Sequence, residues 1–121
     1  MVIKRENRPH GKNLHEYKVL VEMRNSINNL FPKYYIPMNL QKKYKHDENP
    51  LIMMDFLPDG NLVEFMRNRK KSISLLTKVY LLHSIASALK HLEGYKIVHL
   101  DVKPNNIMLA PGLQIKMIDF G

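Results

Sequence analysis

Cysteine is absent from the sequence. Without thiols there is neither a disulfide framework nor a thiolate metal site, which fits a reducing compartment and leads us to expect an intracellular, cytoplasmic protein. No apolar run approaches the ~20 residues that cross a bilayer. The first ten residues lack the apolar centre of a secretory leader. No internal repeat and no low-complexity tract appears. Disulfide scaffolds, membrane spans and repeat arrays are thereby set aside, and no membrane partner is expected.

What is present suits one folded domain. The chain has 121 residues, of which 45% are hydrophobic and 25% charged, enough apolar surface for a core. The net charge is +8. Its densest patches are Lys42-Lys43-Tyr44-Lys45 and Arg67-Asn68-Arg69-Lys70-Lys71. Such patches attract phosphate-bearing partners, but they also occur as solvated turns and helix ends. Neither patch is long or interleaved with aromatics, so no nucleic-acid partner is expected.

Periodicity outlines the elements. Met1 to Lys4 reads as the end of a strand, and Asn7 to Gly11 as a loop. A helix starts near Asn13, with Glu16 placed for a capping box and Tyr17, Leu20, Val21 and Met23 on its apolar face. Asn25 to Pro32 is turn-rich. Ile36 to Tyr44 and Leu51 to Met54 read as strands, and Pro58-Asp59-Gly60 as a break. Asn61 caps a short helix through Leu62, Phe65 and Met66. The longest helix runs from about Ser74 to Glu93, with Leu82, Ile85, Ala86, Leu89 and Leu92 as its inward face. Gly94 is expected to end it in a left-handed cap. Ile97-Val98 reads as a brief strand, and Ile107-Met108-Leu109 and Ile115 to Ile118 as a hairpin around Pro111-Gly112. The class is α+β.

The chemistry gathers in His99-Leu100-Asp101-Val102-Lys103-Pro104-Asn105-Asn106 and in Asp119-Phe120-Gly121. Two carboxylates and a carboxamide lie in loops at the ends of short strands, where reacting groups are usually carried. Asn106 and Asp119 are hard oxygen donors, the type Mg²⁺ takes when phosphates complete its shell. With Lys103 nearby and no thiol, the set suits phosphoryl transfer better than redox or acyl chemistry. The remaining histidines show no metal-ligand spacing.

This segment resembles the catalytic loop and metal-binding motif of eukaryotic-type protein kinases, H-R-D-L-K-x-x-N followed by D-F-G. The resemblance implies a partial bilobal kinase fold. Residues 1–57 would supply part of the small lobe and the hinge, and 58–121 the start of the large lobe. ATP and Mg²⁺ would be the cofactors, bound near Pro58, and a protein hydroxyl the substrate. Asp101 would orient the hydroxyl and accept its proton. Lys103 would stabilise the transferred phosphoryl group and marks the serine/threonine class. Asn106 and Asp119 would hold Mg²⁺.

Upstream, Val2-Ile3-Lys4 resembles the end of the V-A-I-K strand, so Lys4 would hold the α- and β-phosphates; as a short motif it also reads as a surface lysine. Glu16 would pair with Lys4, with Glu22 as the other candidate and the capping box as the other role for Glu16. Met54 would be the gatekeeper, Asp55 to Leu57 would face the adenine edge, and Met108 would pack under the ring. Leu20, His99 and Phe120 would form an internal column.

Leu100 departs from the family's arginine, which pairs with a phosphorylated activation loop, so that mode of activation is not expected. No glycine-rich loop precedes Lys4 and no activation segment follows Gly121, so the resemblance covers about half of a kinase domain. A truncated catalytic core is therefore expected. The alternative is an inactive kinase-derived fragment serving as a nucleotide- or partner-binding module.

Overall fold

The computed structural model describes residues 2–4, 18–20, 23, 29–35, 52–68 and 73–120. These divide into two compact units. The first comprises residues 1–27, 33–56 and 120–121, the second 28–32 and 57–119.

The first unit contains a three-stranded antiparallel sheet. Its strands are β1 (Val2–Lys4), β2 (Tyr34–Tyr35) and β3 (Ile52–Met54), with β3 in the centre. The register sets Val2 opposite Met54 and Lys4 opposite Ile52 on one side, and Tyr34 opposite Met54 on the other. Lys18, Val19, Leu20 and Met23 are helical, and Val19, Leu20 and Met23 are buried. Glu16, Glu22 and the strand expected over Ile36 to Tyr44 lie outside the described residues.

The second unit begins with a turn at Pro58 and Asp59 and the helix α1 (Leu62–Asn68). Gly60 has a φ of 77°, a left-handed backbone that favours glycine, and a Cβ there would push the Glu64 carboxylate away from the Asn61 N–H. Asn61 accepts through Oδ1 from the Glu64 N–H (3.0 Å), and Glu64 Oε2 accepts from the Asn61 N–H (3.3 Å). This reciprocal box satisfies two donors at the helix start.

The long helix α2 (Leu75–Gly94) starts at Ser74, whose Oγ accepts from the Thr77 N–H at 3.1 Å. Its buried stripe is Leu81, Ser84, Ala88 and Leu92. The face expected from periodicity is therefore rotated: Leu92 is buried and Ile85 half-buried, but Leu82, Ala86 and Leu89 are exposed. The helix carries two overlapping apolar stripes, and spacing alone does not decide which one packs inward.

The helix end also differs from expectation. Gly94 remains helical, and the left-handed residue is Lys96, with φ 57°. Lys96 N–H donates to Glu93 O (2.8 Å) and Ile97 N–H to Leu92 O (3.0 Å), the two bonds of a Schellman cap. Ile97-Val98 is not a strand. The Ile97 N–H is committed to the cap, and Val98 is exposed.

A short 3₁₀ turn, Pro104–Asn106, leads into β4 (Ile107–Ala110), which pairs antiparallel with β5 (Gln114–Met117). Ile107 faces Met117 and Leu109 faces Ile115 across the hairpin, and all four are buried. The alternation follows from the two-residue period of a strand with one face packed. Leu109 N–H donates to Gly60 O at 2.9 Å, and Met117 N–H to Leu30 O at 2.8 Å. These bonds fasten the hairpin to the turn before α1 and to Leu30.

Candidate active site

The loop between α2 and β4 is organised by two buried side chains, His99 and Asn106. His99 Nδ1 accepts from the Asp101 N–H at 3.2 Å. That contact assigns the proton to Nε2, which donates to Ile118 O at 2.7 Å. One imidazole therefore joins the backbone of Asp101 to the backbone just before Asp119. A second tie runs in parallel, from the Ile118 N–H to Asn106 O at 3.0 Å. Both backbone groups of Ile118 are thus held by the loop, which fixes where the chain enters Asp119.

Asn106 sits at the end of the 3₁₀ turn that Pro104 initiates. Its Nδ2 donates to Asp101 O (2.9 Å) and to Asp101 Oδ2 (3.0 Å). Both amide hydrogens are thereby used and the amide orientation is set. Among the described residues no hydrogen bond engages Asn106 Oδ1, leaving a hard oxygen for a cation. Lys103 Nζ lies 3.2 Å from Asp101 Oδ2, with both side chains about half exposed. The hydrogen bond from the Lys103 ammonium holds the Asp101 carboxyl below the usual range; desolvation, the next-largest influence, opposes it, and the Asn106 bond acts with Lys103.

The backbone carries strain at two points beside the carboxylates. Leu100, which precedes Asp101, has φ 65°, and Asp119 itself has φ 62°. Non-glycine residues in this region persist where the surroundings enforce them, often at functional sites. Leu100 is 84% exposed, so its unusual backbone is not a consequence of burying its side chain.

The structure thus joins Asp101, Lys103 and Asn106 directly, and brings the chain before Asp119 to them through His99 and Ile118. Met108 lies in β4, half-buried, opposite Lys116 and bridged to Asn61. Met54 ends β3, and Asp55 and Leu57 follow it in irregular backbone. Lys4 lies in β1 opposite Ile52. Leu20, His99 and Phe120 are each nearly fully buried. The parts that sequence reading missed are the Ile118 backbone ties and the Asp55 side chain. Asp55 accepts from the Tyr35 hydroxyl at 2.7 Å and the Lys33 N–H at 3.2 Å. No sequence signal marks either, because both depend on pairings distant along the chain.

Among the described residues there is no cluster of histidine and acidic residues suited to binding a metal alone, and no helix long and apolar enough to cross a membrane. An Asn–Asp donor pair of this kind suits a cation whose shell a ligand completes.

Comparison with known proteins agrees with this geometry. The family described as protein tyrosine and serine/threonine kinase matches residues 3–121. The human cAMP-dependent protein kinase catalytic subunit PRKX is 39% identical over 77 residues, covering 63% of this chain and 21% of the relative. The Aurora kinase of Saccharomyces cerevisiae is 30% identical over 109 residues, covering 88% of this chain and 27% of the relative. An RGS domain-containing serine/threonine-protein kinase A of Dictyostelium discoideum is 29% identical over 77 residues, covering 64% of this chain and 7% of the relative. The chain therefore spans less than a third of the length of these relatives. With the family match running over nearly its entire length, the chain belongs to the protein tyrosine and serine/threonine kinase family.

Proposed function

We propose that this chain carries the phosphoryl-transfer centre of a serine/threonine protein kinase, using Mg²⁺–ATP to phosphorylate a protein hydroxyl. The observation that supports this most is the Asp101–Lys103–Asn106 cluster, tied through His99 and Ile118 to Asp119. Residues 1–57 are read as part of a small lobe and hinge, and 58–121 as the start of a large lobe.

Asn106 Oδ1 and the Asp119 carboxylate would hold Mg²⁺, and the donor chemistry fits, since both are hard oxygens. When bound, Mg²⁺–ATP supplies the electrophilic phosphoryl group. The protein's task is to position and neutralise, because the transition state of phosphoryl transfer is loose. Asp101 Oδ2 is engaged by Lys103 and Asn106, so Oδ1 is the oxygen left to meet a substrate hydroxyl. A carboxylate held below its usual range is a weak base. Asp101 therefore chiefly orients the hydroxyl, and would take its proton as the new phosphorus–oxygen bond forms and the bond from the γ-phosphorus to the departing ADP oxygen breaks. Lys103 balances the charge of the transferred group.

In the first unit, Lys4 is assigned to the α- and β-phosphates with Glu16 as its ion-pair partner. Met54 and the backbone of Asp55 and Leu57 are assigned to the adenine, and Met108 to the ring face.

The test is Asp101→Asn in a kinase domain containing this segment. Turnover should fall by about 10²–10⁴-fold with nucleotide affinity nearly unchanged, because the lost group acts on the hydroxyl. Equal losses in both would reject the assignment. Nucleotide binding without any Asp101-dependent transfer would leave a binding module.

A further inference from the structure

The Asp55 side chain is engaged in a way that the kinase reading does not use. β2 and β3 pair with Tyr35 opposite Met53 and Tyr34 opposite Met54, and the next pair along is Lys33 with Asp55. There the Asp55 N–H donates to Lys33 O at 3.0 Å. The strand pleat places Lys33, Tyr35 and Asp55 on one face of this pair. Asp55 Oδ2 accepts from the Lys33 N–H (3.2 Å), and Oδ1 from the Tyr35 hydroxyl (2.7 Å). The Lys33 ammonium lies 5.8 Å from the centroid of the Tyr35 ring. The hydrogen bond to Asp55 also raises the Tyr35 phenol above its usual range.

Asp55 is thus held by three hydrogen bonds at the last ordered step of the ladder, and the chain beyond it is irregular. Among the described residues, no hydrogen bond engages the Asp55 carbonyl or the Leu57 N–H. A flat heteroaromatic ring that reads its donors and acceptors from backbone needs those groups fixed beforehand. Fixing them on binding costs conformational entropy, and anchoring the residue that carries the carbonyl removes part of that cost.

We propose that Tyr35 is a positioning residue for nucleotide binding: its hydroxyl clasps the Asp55 carboxylate and so presets the backbone that faces the adenine. This rests on the nucleotide reading given above. Tyr35 acts through Asp55 and does not touch the ligand.

The test uses the 121-residue chain, with adenosine and Mg²⁺–pyrophosphate titrated separately and followed by NMR. The variants are Tyr35→Phe, Asp55→Ala and the double variant. Adenosine affinity should fall about 3- to 10-fold in each single variant. The double variant should be no weaker than Asp55→Ala, because both remove the same link. Mg²⁺–pyrophosphate affinity should not change, which a general loss of folding could not produce. Unchanged adenosine affinity in Tyr35→Phe overturns the clasp, as do equal losses for the two ligands. A wild-type chain that binds neither ligand removes the nucleotide reading itself, and the clasp with it.

Discussion

Asn106 Nδ2 bonds the backbone carbonyl and the carboxylate of Asp101 at once, at 2.9 and 3.0 Å. A buried amide thereby fixes both the chain and the side chain of a residue that is itself exposed. The arrangement separates rigidity from access: the loop is held from inside while the carboxylate faces solvent.

One consequence is a pH dependence. Lys103, the largest influence, and Asn106 lower the Asp101 carboxyl from its usual range. A carboxylate depressed in the folded state contributes stability that is present above its unfolded value, and loses it as pH falls through the folded value. Asp101 should therefore stay ionised at pH values where an unperturbed aspartate is already partly protonated. Carbon-detected NMR titration of the Asp101 carboxyl checks this. Lys103→Met should move the midpoint upward, and no movement would mean that the ion pair is not the cause.

Lys96 gives a stability prediction. It occupies the left-handed position of the α2 cap, φ 57°, where a Cβ is unfavourable by about 1–2 kcal/mol. Its side chain is exposed. After offsetting the greater freedom of glycine in the unfolded chain, Lys96→Gly should stabilise by about 0.5–1 kcal/mol. Urea denaturation should show a higher midpoint at an unchanged slope.

Two leucines of the same helix should behave differently. Leu92 is 1% exposed and Leu82 66%. Leu92→Ala should cost about 2–5 kcal/mol through lost burial and a residual cavity. Leu82→Ala should stay within about 0.5 kcal/mol. Comparable losses at the two sites would place the buried stripe of α2 incorrectly.

Local chemistry was the legible part of the sequence. Asn61 as a cap, the start of the long helix near Ser74, the break at Gly60 and the hairpin around Gly112 follow from residue types at fixed offsets. What depended on distant partners was not legible. The inward stripe of α2 passes through Ser84 rather than Leu82, a choice made by what packs against the helix. Ile97-Val98 reads as a brief strand in the sequence, yet the Ile97 N–H closes the helix cap. At the candidate site, the residue types of Asp101, Lys103, Asn106 and Asp119 pointed to phosphate chemistry. The two ties on Ile118 emerge only when residues 12 and 19 positions apart meet. The Tyr35–Asp55 bond spans 20 positions and left no local trace.

The central claim is that Asp119 and Asn106 hold Mg²⁺ for a bound nucleotide, and the most direct measurement is ADP affinity by calorimetry with and without Mg²⁺. The account predicts tighter binding with Mg²⁺, and loss of most of that gain in Asp119→Asn, which removes the ligand charge while keeping the shape. Affinity that is indifferent to Mg²⁺, or a magnesium-dependent gain that survives Asp119→Asn intact, would contradict it.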